Sequence, residues 1–178
     1  MEYKDFDTSS VILARTIGKI RTYFDLMESI AYNQKEDNSF WNLVFENLYD
    51  LTILESFKLI DEKNLSLFSL IKDAKALKAE NLEELNNDYK KLNDFINDSK
   101  FKIIQHRHTQ VAHHSRKTDT TLARFAELSQ ILELLSICEE LIRKYNLWIK
   151  GSKYSIDFTS IYAGGHKNLI EYVSKIIC

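Results

Sequence analysis

The sequence contains no proline and only four glycines among its 178 residues, so few positions can break a helix or form a sharp turn. Its two cysteines, Cys138 and Cys178, are too few for a framework of disulfide bonds. Cys138 lies among apolar residues and is expected to be a small buried side chain. No apolar run approaches the roughly 18–20 residues of a membrane-spanning helix. These absences favour a soluble, almost entirely helical protein.

The composition that remains is that of one globular domain. Leucine, isoleucine, lysine, glutamate and asparagine are abundant, and the net charge is −2. A chain of this length can bury a substantial core, and we expect one domain over residues 1–178. The first residues, Met1 to Asp5, lack the pattern of a signal peptide, so a cytoplasmic protein without a membrane partner is expected.

Apolar residues recur every three or four positions along most of the sequence, with short polar breaks between the stretches. The pattern predicts an all-α helical bundle. Its helices are expected at about 10–33, 40–60, 65–77 and 82–96, then from Asp98 or Ser99 to near His113, and from about 118–120 to Gly151. The second helix is apolar over a wide face, which predicts a place at the centre of the bundle. The helix that ends at Gly151 is the longest, and it carries the apolar stripe Ile131, Leu135, Cys138, Ile142 and Tyr145. A short helix is expected to follow the turn at Ala163–His166.

Four of the five histidines fall within one short basic segment. They are His106, His108, His113 and His114. Acidic residues stop at Asp98 and resume only at Asp119. Between them lie the basic residues Lys100, Lys102, Arg107, Arg116 and Lys117. Histidine is suited to moving protons near neutral pH, and the arginine fork is suited to phosphate, so this segment is the candidate functional site.

Helical geometry gives the four histidines different directions. At 100° per residue, an apolar face runs through Phe101, Ile104, His108 and Val111, so His108 is expected to pack inward. Arg107 and His114 are seven positions apart and share one face. His106 and His113 point to nearly the opposite side, and His106 is expected to face solvent.

Metal binding is the obvious alternative for a histidine cluster, and the spacing argues against it. Two ligands on one helix normally lie four residues apart, and no pair here has that spacing. Histidines seven apart are separated by about 10.5 Å along the helix axis, too far to hold one ion. A metal would need further ligands, such as His166 or a second subunit. We therefore predict no metal and no cofactor.

Acid–base chemistry on a phosphodiester fits the segment better. Cleaving RNA without a metal needs a base for the 2′-hydroxyl proton and a cation for the charge on the scissile phosphate. A histidine and an arginine supply these groups. A basic stretch in an otherwise acidic chain would also attract a polyanion, with Lys100, Lys102, Arg116 and Lys117 as candidate RNA-binding residues.

The stretch Arg107-His108-Thr109-Gln110-Val111-Ala112-His113 resembles the Arg-polar-x(3–5)-His motif of the HEPN superfamily, especially its abortive-infection-type members. The order of long and short helices around the motif is also similar, over nearly the whole chain. The resemblance implies a HEPN-like bundle with a four-helix core and short extra helices. It also implies a homodimer in which two motifs face each other across one cleft and, in active members, a metal-independent ribonuclease.

The resemblance assigns a role to three residues of the motif. Arg107 matches the arginine that binds phosphate and stabilises charge, and His108 matches the polar residue that orients its neighbours. His113 matches the histidine proposed as general base or acid. A straight helix would instead place His114 beside Arg107, so His113 fits only if the helix ends or loosens near Ala112. His114 is kept as the alternative base.

Two function classes follow. The first is an endoribonuclease that leaves 2′,3′-cyclic phosphate ends and acts in phage defence or as a toxin, with a cognate antitoxin protein as a possible partner. The second is a non-catalytic HEPN homodimer that binds RNA or a partner protein, because some members of the superfamily have lost catalysis. This chain departs from the usual pattern in having a histidine after the arginine, and Ser115 and Arg116 after the histidines.

Overall fold

The computed structural model of the chain describes residues 3–33, 39–98, 101–107 and 128–151. In these ranges the regular structure is helical, without β-strands. The α-helices are α1 (Tyr3–Asn33), α2 (Ser39–Ile60), α3 (Leu67–Leu77), α4 (Leu82–Asn97), α5 (Ile103–His106) and α6 (Leu128–Lys150). A 3₁₀ turn, Ala79–Asn81, precedes α4. The all-α prediction is confirmed, and none of these helices is long and apolar enough to cross a membrane.

Four of the helices form the centre of the molecule. Each of α1, α2, α3 and α6 contacts the other three. The remaining two helices pack on this group, with α4 against α3 and α5 against α2. The described helices therefore form a four-helix core with short additions, as the sequence predicts.

The core is built from the apolar stripes of α1 and α6. Five apolar residues that recur every three or four positions along α1 are buried, namely Leu13, Ile17, Ile20, Phe24 and Met27. The predicted α6 stripe is fully buried along its whole length, through Ile131, Leu135, Cys138, Ile142 and Tyr145. Burial raises the pKa of the Cys138 thiol, which keeps it protonated and unreactive. The expectation of a small buried side chain at this position is confirmed.

Only the second half of α2 lies in the core. No described side chain from Ser39 to Leu51 is buried, and Phe40 and Leu43 are 60% and 58% exposed. Buried positions begin at Thr52 and recur up to Ile60, whereas Leu54, Phe57 and Lys58 are partly or largely exposed. The predicted wide buried face is therefore wrong for the first half of this helix. Periodicity identifies apolar positions, but it does not show how far the neighbouring helices extend over them.

A buried carboxylate joins α4 to α6. Asp88 accepts hydrogen bonds from Lys144 Nζ at 2.7 Å and from the Tyr145 hydroxyl at 2.9 Å. Lys144 also pairs with Glu84, at 2.6 Å. A carboxylate is tolerated inside a protein when a cation and hydrogen-bond donors surround it. This network holds the amphipathic helix α4 in place beside the core.

Gly151 ends α6, as the sequence predicts. Its φ of 82° lies in the left-handed region that favours glycine, and its N–H donates to the Leu147 carbonyl at 2.9 Å. Helix α1 begins at Tyr3, about seven residues before the expected start. The expected start of α6 falls within residues 108–127, outside the described residues, and the short helix expected after residues 163–166 also lies outside them.

Two leucines on α6 provide a matched test of the core. Leu135 is fully buried, whereas Leu132 is 47% exposed. Leu135→Ala should lower the free energy of unfolding by about 2–5 kcal/mol, since it leaves a cavity. Leu132→Ala should change it by about 0.5 kcal/mol or less, because no cavity forms. Urea unfolding followed by circular dichroism measures both, and equal losses would show that the core is wrongly assigned.

Candidate functional site

The motif helix α5 begins later than predicted. It starts at Ile103 rather than near Asp98, and Lys102 is its N-terminal flanking residue. The Lys102 N–H donates to Gln130 Oε1 on α6 at 3.1 Å, and its carbonyl accepts from the His106 N–H at 2.8 Å. The start of α5 is thus tied to α6, while its side chains pack on α2.

The buried face of α5 runs through Ile103 and His106. Their exposed fractions are 0% and 2%, and residues three apart lie on one face of a helix. The expectation that His106 faces solvent is therefore wrong. That expectation followed from an apolar stripe counted from Phe101, but Phe101 precedes the helix and is buried in the core beside Phe95.

His106 is enclosed by two adjacent residues of α2. Its Nε2 lies 3.8 Å from Oδ1 of Asp50, slightly beyond hydrogen-bonding distance. Its ring meets the Tyr49 ring edge-on, with the centroids 5.2 Å apart. Burial raises the pKa of Tyr49 to about 12, and the Asp50 carboxylate adds to this effect. The phenol is therefore neutral beside the imidazole.

Two opposing effects act on the protonation of His106. Burial lowers its pKa, because the charged imidazolium loses water, and the negative charge of Asp50 partly opposes this shift. Burial is the larger effect, so the ring is neutral at neutral pH. A neutral buried imidazole is a rigid packing element rather than a cation for RNA.

Arg107 follows directly and lies at the edge of the core. Its backbone keeps helical angles, with its N–H shared between the carbonyls of Ile103 and Ile104. The guanidinium lies over the Phe57 ring of α2, with Cζ 4.7 Å from the ring centroid. The side chain is half-buried, and its Nε is enclosed without a hydrogen-bond acceptor in the described part of the chain.

No carboxylate among the described residues pairs with Arg107. A cation–π contact occupies one face of the guanidinium and leaves its N–H groups to bind elsewhere. These groups have the planar fork geometry that matches two phosphate oxygens. Arg107 is therefore chemically suited to hold a phosphate group at the edge of α2 and α5.

Of the other predicted site residues, the structure describes only Lys102, which is partly exposed at the start of α5. Those outside the described residues are Lys100, His108, His113, His114, Arg116 and Lys117. Their proposed roles, including the choice between the two adjacent histidines, stay predictions. No group of three potential metal ligands occurs within the described ranges, and the four histidines other than His106 lie beyond them.

Sequence reasoning missed the contribution of α2 to this site. Tyr49, Asp50 and Phe57 all contact the motif segment, yet they precede it by about fifty residues. Their spacing along α2 does place them near one face, which is the only signal available. The sequence does not show that α5 packs there, because that depends on tertiary structure.

Comparison with models of protein families tests the resemblance to the HEPN superfamily. The family model HEPN_AbiU2, described as AbiU2, matches residues 5–167. The chain belongs to the AbiU2 family of HEPN proteins. The match spans the described helices of this AbiU2-family protein almost completely and includes Arg107. Comparisons with curated proteins and with solved structures found no match.

Because burial lowers the pKa of His106, the AbiU2-family protein should lose stability in mild acid. The ring is neutral in both the folded and unfolded chain at pH 7.5. Below the ordinary histidine pKa of about 6.5, the unfolded chain takes up a proton that the folded chain resists. The free energy of unfolding should therefore fall between pH 7 and pH 5.

His106→Gln removes this contribution while the other histidines stay the same. Urea unfolding at pH 7.5 and pH 5 should show a smaller acid-induced loss in the variant than in the wild type. An equal loss in both proteins would contradict a buried neutral His106.

Proposed function

We propose that this AbiU2-family protein is a metal-independent endoribonuclease that acts in phage defence or as a toxin. The observation that carries the proposal is the environment of Arg107. Its guanidinium is held over Phe57 and has no carboxylate partner among the described residues. Most of the 26 acidic residues of the chain lie in the described ranges, so a purely structural arginine would have many possible partners there. An arginine that pairs with none of these described acids is suited to an external anion.

In the proposed reaction, Arg107 binds the scissile phosphate and stabilises the negative charge that develops on it. A histidine, His113 or alternatively His114, takes the proton from the 2′-hydroxyl, and the 2′-oxygen attacks phosphorus. The bond from phosphorus to the 5′-oxygen breaks, and that oxygen takes a proton from a protonated histidine. The products are a 2′,3′-cyclic phosphate and a 5′-hydroxyl. His108 would orient the neighbouring groups.

The proposal includes a homodimer with the two motifs facing one cleft. A base and an acid are both needed, and a second copy of the motif supplies the second histidine. Lys100, Lys102, Arg116 and Lys117 would bind the RNA backbone on either side of the scissile phosphate. If the protein acts as a toxin, a cognate antitoxin protein is the expected further partner.

Replacing Arg107 tests the proposed chemistry directly. Purified wild-type protein in EDTA should cut single-stranded RNA or transfer RNA and leave 2′,3′-cyclic phosphate ends, detected by mass spectrometry. Arg107→Ala should lower the cleavage rate by at least about 10²–10³-fold, because the charge on the phosphate is no longer stabilised. The exposed Arg15 of α1 supplies a matched control, and Arg15→Ala should retain full activity.

The same assay selects the base. His113→Ala should abolish cleavage and His114→Ala should not, and the opposite result would assign the base to His114. If wild type and Arg107→Ala leave every RNA equally intact, the ribonuclease proposal fails. RNA binding that depends on Arg107 without cleavage would support the non-catalytic alternative.

The homodimer can be checked by light scattering after size-exclusion chromatography. The protein should have twice the mass of a single chain, because the proposed cleft requires two motifs. A strictly monomeric protein at high concentration would contradict the composite site, whatever the result with single variants.

A further inference from the structure

His106 and Arg107 are consecutive residues held by the same side of α2. Asp50 and Tyr49 contact the imidazole, and Phe57 contacts the guanidinium. Consecutive residues of a helix point about 100° apart, so α2 can contact both only for a narrow range of rotations of α5 about its axis. The position of His106 against α2 therefore determines the direction in which the side chain of Arg107 leaves the backbone.

The described turn of α5, Ile103–His106, is held mainly by contacts with its neighbours, because one turn of helix has little stability by itself. One of these contacts is the hydrogen bond from the Lys102 N–H to Gln130 on α6. Ile103 is the other fully buried side chain of this turn, and an apolar contact limits rotation less than a directed polar one does. The His106 ring adds a polar contact to this burial, because its Nε2 lies 3.8 Å from Oδ1 of the Asp50 carboxylate.

We infer that His106 and Asp50 form a positioning pair that sets the orientation of Arg107 toward the scissile phosphate. This inference rests on the proposed function and deepens it, because neither residue belongs to the motif itself. His106 is nearly fully buried and does not reach RNA; it acts through the arginine that follows. Asp50, which is 42% exposed, holds the imidazole in one rotation against α2.

The charges around the pair are consistent with this role. Asp50 and the neutral Tyr49 face His106 from α2, and Lys102 and Arg107 are the cations of its own segment. A protonated His106 would place a second positive charge beside Arg107. With the ring neutral, the charge next to the proposed phosphate site at this point of the segment is that of Arg107.

The test uses variants that separate the packing of the His106 ring from its polar contact with Asp50. His106→Gln keeps a donor at the position of Nε2, whereas His106→Leu keeps apolar volume without a donor. Asp50→Asn removes the charge of the acceptor. Glu46→Gln is the matched control, since Glu46 is an exposed acid one turn earlier on α2. All proteins are compared at a temperature at which each is folded.

Cleavage of RNA in EDTA gives the first measurement. His106→Leu should lower kcat on the order of tenfold to a hundredfold, the cost of a misplaced catalytic group, while His106→Gln retains most activity. Asp50→Asn should lower kcat without raising KM, because removing a negative charge also favours RNA binding. Glu46→Gln should leave kcat unchanged. A loss of stability without these changes in kcat would overturn the inference.

Binding of an uncleavable RNA, with 2′-O-methyl groups in place of 2′-hydroxyls, gives the second measurement by fluorescence anisotropy. His106→Leu should weaken binding in the wild type but change it by less than about twofold in the Arg107→Ala background, because it acts through Arg107. Equal effects in both backgrounds would refute the positioning pair.

The two measurements distinguish this inference from the proposed function. If the wild type cleaves RNA through Arg107 and His106→Leu is silent, the ribonuclease stands and the pair is refuted. Suppose that RNA is bound through Arg107 but never cut, and that His106→Leu weakens binding in the wild type but not in the Arg107→Ala background. The pair then stands and the ribonuclease proposal fails. If Arg107→Ala changes neither cleavage nor binding, both are overturned.

Discussion

The packing of α5 on α2 is the contact on which the candidate site depends. The described turn of α5, Ile103–His106, gains too few backbone hydrogen bonds by itself to offset the entropy of ordering its backbone, so its neighbours stabilise it. Burial of Ile103 and His106 against α2 provides this stabilisation, and the Gln130 side chain ties its first turn to α6. Arg107 thus takes its position from two helices that are distant from it in sequence, α2 and α6.

The border between the two halves of α2 coincides with the site. Residues after Leu51 pack into the core, whereas those before it are partly or largely exposed. Tyr49 and Asp50 lie just before this border and Phe57 after it. One end of the contact surface for the motif is therefore part of the rigid core and the other is open to solvent, which suits a group that must be fixed yet reach a ligand.

Much of the fold could be predicted from the sequence because it depends on local pattern. The stripe on α6 and the glycine at its end are confirmed, since apolar spacing and the left-handed preference of Gly151 act over a few residues. At the site, Arg107 could be identified as a phosphate-binding candidate from its motif. The burial of His106 could not, because it depends on where α5 starts and on Asp50, which lies far away in sequence.

The enclosed Nε of Arg107 also has a consequence for how the protein can evolve. No acceptor within the described ranges reaches this atom, and a buried donor left without an acceptor destabilises a fold by about 1–3 kcal/mol. Selection for stability alone would replace this arginine with an apolar residue that packs on Phe57. Under the proposed function, the arginine is therefore kept at this position at a cost in stability. Relatives without the proposed reaction would be free to replace the arginine with an apolar residue and so gain a more stable core.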